Sequence, residues 1–325
     1  MAVSRNTSKY IDPFTDTGFK IIFGTEGQSE ELLVAFLNEL FRDQLYFDPI
    51  ESLSYINSER ARKGPEGKTI IHDVICNTAG GHRFILEMQR GRKDDFVSRS
   101  VYYTCRGITD QISISHDKRS TGYWYMPVTS VFLCDFRIRD LDNKLVSHFM
   151  LRDMETGTVL QAGLRMAYVQ LTLFDKEWEE CTTDFDKWIY LLKNMNKLKE
   201  FPKMTRKDEV FARLESVANY AALSYEDQVA YEADVRWASE YEEVLATARR
   251  EAAEEGRAEG RAEGIAEGIT EGRAQGITEG RAEGEIAQAW KTAEKMWKKG
   301  YSVKEIAEVN DLPLEEVKLK FIKQD

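Results

Sequence analysis

Apolar positions in the first part of the chain recur at helical spacing. In residues 29–41, SEELLVAFLNELF, the side chains Leu33, Phe36, Leu37, Leu40 and Phe41 fall on one face. Glu30 and Glu31 lie in the first turn, where carboxylates offset the helix dipole. The preceding stretch DPFTDTGFKIIFG predicts a short helix closed by Gly24. The period then changes. Residues 70–78, IIHDVICNT, are β-branched, AGGH follows, and RFILEMQ continues, which predicts a hairpin with a short glycine loop. Residues 94–112 return to a helical period, and PVTSVFLCDF (127–136) predicts a buried strand. HFMLRDMETGTVL predicts a hairpin around Glu155–Gly157, and MAYVQLTLF a further strand. Past Lys176 the pattern is helical. TTDFDKWIYLLKNMNKL opens with a Thr183/Asp186 capping pair, and residues 207–250 are helical and charged.

Residues 256–284 form a low-complexity repeat in which a glycine stands at every fourth position from Gly256 to Gly284. Mostly Arg-Ala-Glu, Ile-Ala-Glu or Ile-Thr-Glu lies between them. Four residues advance an α-helix by about 400°, so the glycine stripe drifts about 40° per repeat and cannot make one straight seam. The repeat predicts a marginal helix or a flexible spacer. Residues 285–325 regain amphipathic order: a helix ending at Gly300, a Ser302/Glu305 capping box and a last short helix. This reads as a helical cap for the repeat or as a helix-turn-helix, the cap being favoured because no arginine-rich recognition helix is present.

The sequence thus predicts an α/β (α+β) core at 1–180, a helical extension at 181–255, the repeat at 256–284 and a small helical segment at 285–325. Composition changes this picture in three respects. No apolar run is long enough for a membrane span, and the N-terminus has no apolar signal region, so a cytoplasmic location is expected. The four cysteines and four histidines lack ligand spacing, which argues against structural zinc. The net charge of −11 argues against non-specific coating of nucleic acid. From Arg60 to Arg106, however, ten Lys or Arg face only five Asp or Glu, a local basic zone that could be a binding face or surface scatter.

The hairpin holds the candidate chemistry. Glu87 and Gln89 are two apart and share a face. Asp73 joins them in either of two registers: a loop of Ala79–Gly81 pairs it with Glu87, a loop of Gly80–His82 with Gln89. Both put Val74, Cys76, Phe84, Leu86 and Met88 on the other, apolar face. Two carboxylates and an amide on one side of a sheet suit Mg²⁺ chemistry on a phosphate, or are a plain solvent face. In the following helix Val97, Val101, Cys105, Ile108 and Ile112 share one side, and Arg99, Tyr103 and Arg106 the opposite side. The second side suits phosphate contacts or is ordinary solvated surface. Arg90, Arg92 and Lys93 extend the basic zone.

In order along the chain, DTGFKIIFG, ELLVAFLNELF, HDVIC, FILEMQR, SRSVYY, VFLCDF, KWIYLLKN, LSYEDQVAYEADV and the EG repeats resemble the PD-(D/E)XK nuclease family transposases, also called recombination-promoting nucleases. The resemblance covers most of the chain. It implies a restriction-endonuclease-like core with a helical C-terminal extension, and metal-dependent DNA cleavage using Mg²⁺ or Mn²⁺. It further implies Asp73 as the strand aspartate, Glu87 as the acid of the E-x-K half-motif, and Gln89 where the wider superfamily has lysine. Asp16 resembles the family's N-terminal acid, a further candidate metal residue, and Lys20 is a candidate DNA contact. The neutral Gln89 amide keeps open a DNA-binding protein on a nuclease fold that no longer cuts. The repeat keeps open an assembly role, with homo-oligomers formed through it.

Overall fold

The computed structural model describes residues 8–44, 47–56, 72–91, 93–114, 124–160, 163–203 and 209–322. The chain divides into two compact units, Met1–Glu240 and Tyr241–Asp325.

The first unit is built on a six-stranded mixed sheet in the order β1-β2-β3-β4-β6-β5: β1 Leu53–Tyr55, β2 Val74–Thr78, β3 Arg83–Gln89, β4 Val128–Cys134, β5 Val146–Met150 and β6 Leu164–Gln170. β2 and β3 form the expected hairpin. Val74 pairs with Leu86 and Cys76 with Phe84, so the loop is Ala79–Gly81, the first of the two registers. Gly81 has φ 77°, the left-handed conformation that a three-residue hairpin loop asks of its last member. β3 runs parallel to β4, and β4 parallel to β6; the edge strand β5 returns antiparallel. β4 is buried along its whole length, as its apolar run predicts.

Helices cover both faces of the sheet. On one face lie α1 (Asp16–Phe23), α2 (Glu30–Phe41), α4 (Asp184–Asn194) and α5 (Glu209–Ala218). Phe19, Phe23, Phe36, Trp188 and Phe211 pack there against Val74, Cys76, Phe84, Leu86, Met88, Val131 and Val169. The Thr183/Asp186 capping box starts α4 as expected. The other face is covered by α3 (Phe96–Ile114), the crossover between the parallel strands β3 and β4.

The orientation of α3 differs from the simple reading of its apolar stripe. Val101 and Cys105 are exposed, while Ser100, Thr104 and Gly107 are buried. The cause is close approach: a Cβ on Gly107 would stand 2.5 Å from Ile85 Cδ1, so only small residues fit between helix and sheet. Their hydroxyls are satisfied, with Thr104 donating to Ser130 Oγ at 2.9 Å and Ser100 bonded to Tyr168 Oη at 2.5 Å. This rotation turns Arg99, Tyr103 and Arg106 to the margin of the buried face, where each is partly covered.

The long helix α6 (Tyr225–Lys298) begins in the first unit. Its Tyr231 is 1 % exposed, its hydroxyl accepts from the Asp12 backbone N–H at 2.7 Å, and Asp234 Oδ2 accepts from the Thr17 N–H at 2.7 Å. The second bond satisfies a first-turn amide of α1 that has no intrahelical acceptor.

In the second unit the repeat is helical, and beyond the adjoining backbone of the helix itself none of its eight glycines has an atom within 4 Å of a would-be Cβ. The end of α6, α7 (Val303–Val309) and α8 (Leu314–Phe321) close a small core of Ala293, Ile306, Ala307, Val317 and Phe321. Gly300, at φ 88°, breaks the chain, and the Ser302/Glu305 capping box restarts it.

Candidate active site

Asp73 stands one residue before β2, not inside it, and its carboxylate takes the place of a backbone partner: Oδ2 accepts the Met88 N–H at 2.8 Å. This bond tethers the acid to β3 next to Glu87. The backbone bends there, so His72 also reaches the Glu87 face. His72 Nδ1 lies 2.7 Å from Glu87 Oε1, with both side chains about 5 % exposed or less. The His72 ring meets the Tyr103 ring edge-on at 5.6 Å. Tyr103 Oη accepts from Arg99 Nη2 at 3.0 Å, and the guanidinium also lies 5.5 Å from the ring centre.

Four elements meet here. α1 brings Asp16 and Lys20, both exposed and one helical turn apart. The start of β2 brings Asp73, β3 brings Glu87, and α3 brings Arg99 and Tyr103. Burial pushes the Asp73 carboxyl up to about 8; the charges of Glu87 and Asp16 add to the rise, while the Met88 amide and Lys20 oppose it. Burial likewise pushes Glu87 up to about 8, with Asp16 adding and Arg99 opposing. His72 is driven down to about 4 by burial. The His72–Glu87 contact is therefore a hydrogen bond between groups that the interior holds toward neutrality, rather than a standing ion pair.

The donor set fits a hard divalent cation. Asp73 and Glu87 offer carboxylate oxygens whose charges repel one another, with Lys20 and Arg99 as partial offsets, and Mg²⁺ typically takes one or two carboxylates and keeps its waters. Among the described residues no group of three or more His, Cys, Asp or Glu is gathered as a metal-holding set, and the Asp16 charge acts on both acids.

The remaining sequence candidates lie around this cluster. Gln89 ends β3, half-buried, on the same side as Glu87. Arg90 is exposed and lies 3.7 Å from Asp12. Lys93 is exposed ahead of α3, and Arg106 pairs with Asp110 at 3.0 Å. Arg92, like the segment 57–71 that holds much of the basic zone, lies outside the described residues. Sequence reasoning gave no role to His72, Tyr231 or Asp234. Alternation places His72 on the apolar face, and only the bend at Asp73 reverses that.

A mixed sheet with a β3–α3–β4 crossover and helices on both faces, carrying an acid ahead of one hairpin strand and an E-x-Q on the other, is a restriction-endonuclease-like α/β fold. The model of the PD-(D/E)XK nuclease family transposases matches residues 13–248, and the chain belongs to that family. No curated protein and no solved structure matches it. Among the described residues no helix is long and apolar enough to cross a membrane.

Proposed function

We propose that the chain is a Mg²⁺- or Mn²⁺-dependent DNA endonuclease acting in recombination or on mobile DNA. The observation that carries this reading is the buried, mutually repelling pair Asp73 and Glu87 beside Lys20 and Arg99. A bound divalent cation would supply positive charge against a phosphate and a water of lowered pKa. Asp73 and Glu87 would hold it. The Gln89 amide, at the strand end, would orient the attacking water by hydrogen bonding. Lys20 and Arg99 would face the phosphate oxygens, and Arg90, Arg92, Lys93, Tyr103 and Arg106 would contact the backbone on either side. The water oxygen would bond to phosphorus and give up a proton, the bond to one ester oxygen would break, and the departing oxygen would take up a proton, so that water is divided between the two ends.

Supercoiled plasmid incubated with Mg²⁺ or with EDTA tests the reading. Nicking is expected only with metal, and Asp73→Asn and Glu87→Gln should each abolish it while keeping the fold, since both are near-isosteric. DNA binding without metal-dependent nicking would favour the second reading, a non-cutting DNA-binding protein, which the neutral Gln89 motivates.

The repeat supports a further proposal, association between copies of the chain. On α6 the glycine row is flanked by a row of Arg257, Arg261, Ile265, Ile269, Arg273, Ile277 and Arg281 on one side and by a mainly glutamate row on the other. In a parallel two-fold pair wound right-handed to follow the drift of the glycine row, each arginine–isoleucine row would face the partner's glutamate row. Ile265, Ile269 and Ile277 are more than 60 % exposed in the single chain. Sedimentation of the full chain against one ending at Glu255 should show a larger species for the full chain only.

A further inference from the structure

We propose that His72 is a positioning residue for Glu87, its Nδ1–H holding the carboxylate in the orientation that receives the metal. The inference rests on the metal-site reading given above and adds a residue to it.

Four observations carry it. The 2.7 Å contact lies at the close end of the N–H···O range, so the two groups are in direct hydrogen-bond register. Both side chains are withdrawn from solvent, so water does not compete for the carboxylate oxygen. The imidazole is itself fixed: the Tyr103 ring meets its edge at 88°, and Arg99 bonds Tyr103 Oη. A train of contacts therefore runs from α3 through Arg99, Tyr103 and His72 to Glu87. Finally, an apolar side chain would fill this nearly dry position at lower cost. An imidazole is costly there unless its nitrogens are bonded, and Glu87 is the bond the structure provides. The neighbouring Asp73 carboxylate is held separately by the Met88 N–H, so His72 orients one carboxylate and the Met88 amide the other. Partners of this kind set the orientation of metal ligands in general.

The test is thermal unfolding of the full chain, without DNA, with Mg²⁺ or Mn²⁺ titrated alone. His72→Phe keeps a ring against Tyr103 and removes the donor. It should leave the metal-free midpoint temperature near wild type and move the metal concentration for half-maximal stabilisation up by about 10- to 100-fold. His72→Asn, which restores an N–H, should recover part of the loss. Wild-type metal response in His72→Phe would overturn the positioning role while leaving the metal site standing. If wild type and Glu87→Gln respond to metal alike, the metal site itself fails and this inference falls with it. Should His72→Phe not fold, the near-isosteric pair His72→Asn and His72→Leu reads the same difference; equal responses from the two would overturn the role.

Discussion

Gln89 ends β3 half-exposed, at a strand end open in part to solvent. Gln89→Lys should therefore keep the fold and preserve or raise metal-dependent nicking, because a cation there would meet charge developing on the phosphate. Initial rates on plasmid at saturating Mg²⁺ check this, and a large loss would mean that the amide itself is needed. His82 makes a separate residue-scale prediction. Its Nε2 lies 2.7 Å from Thr129 Oγ1, and burial, helped by Arg165, drives its pKa down to about 4. The unfolded chain binds a proton near 6.5 and the folded chain only near 4, so this residue's contribution to stability is intact above about 6.5 and lost as pH falls toward 4. His82→Gln should flatten that part of the stability profile, read by urea unfolding across pH 4–7.

At the scale of elements, one substitution has opposite signs in two helices. A Cβ on Gly18 of α1 would stand 2.2 Å from the Asp12 carbonyl oxygen, a backbone atom that cannot step aside. Gly18→Ala should cost roughly 2–3 kcal/mol and disturb the turn carrying Asp16. Gly264 of α6 meets nothing, and Gly264→Ala should add about 1 kcal/mol of local helix stability. Denaturant unfolding reads the first, and amide exchange at protein concentrations too dilute for association reads the second.

The same contrast separates what the sequence made legible from what it hid. The hairpin face was readable because five apolar side chains, Val74 to Met88, permit no other side to be buried. The caps at Thr183 and Ser302 were readable because their partners lie three residues away. The setting of α3 was not. Its buried face is made of Ser100, Thr104 and Gly107, and it is chosen by the closeness of the sheet rather than by hydrophobicity. Asp73 and Glu87 could be named from pattern, but the Met88 tether, the bend and His72 depend on tertiary placement that spacing does not encode.

For the whole molecule, the distribution of buried side chains sets what can be removed. The core of the first unit uses α4, α5 and the start of α6 through Trp188, Phe211 and Tyr231. A chain ending at Glu255 should keep the wild-type unfolding transition of that unit, whereas one ending at Ser224 should lose several kcal/mol. The second truncation also removes Tyr231 and Asp234, the groups that hold the Asp12 and Thr17 amides. These partners are separated by more than two hundred residues of chain, and that separation has a meaning in time. During synthesis from the N-terminus the Asp16 turn exists long before its clasp. The acid cluster stays unfinished until residue 234 has left the ribosome, so a nascent chain carries its candidate nuclease residues without the assembled site. Stalled chains of increasing length should show protease protection of the 12–20 segment appearing only once Asp234 is outside the exit tunnel.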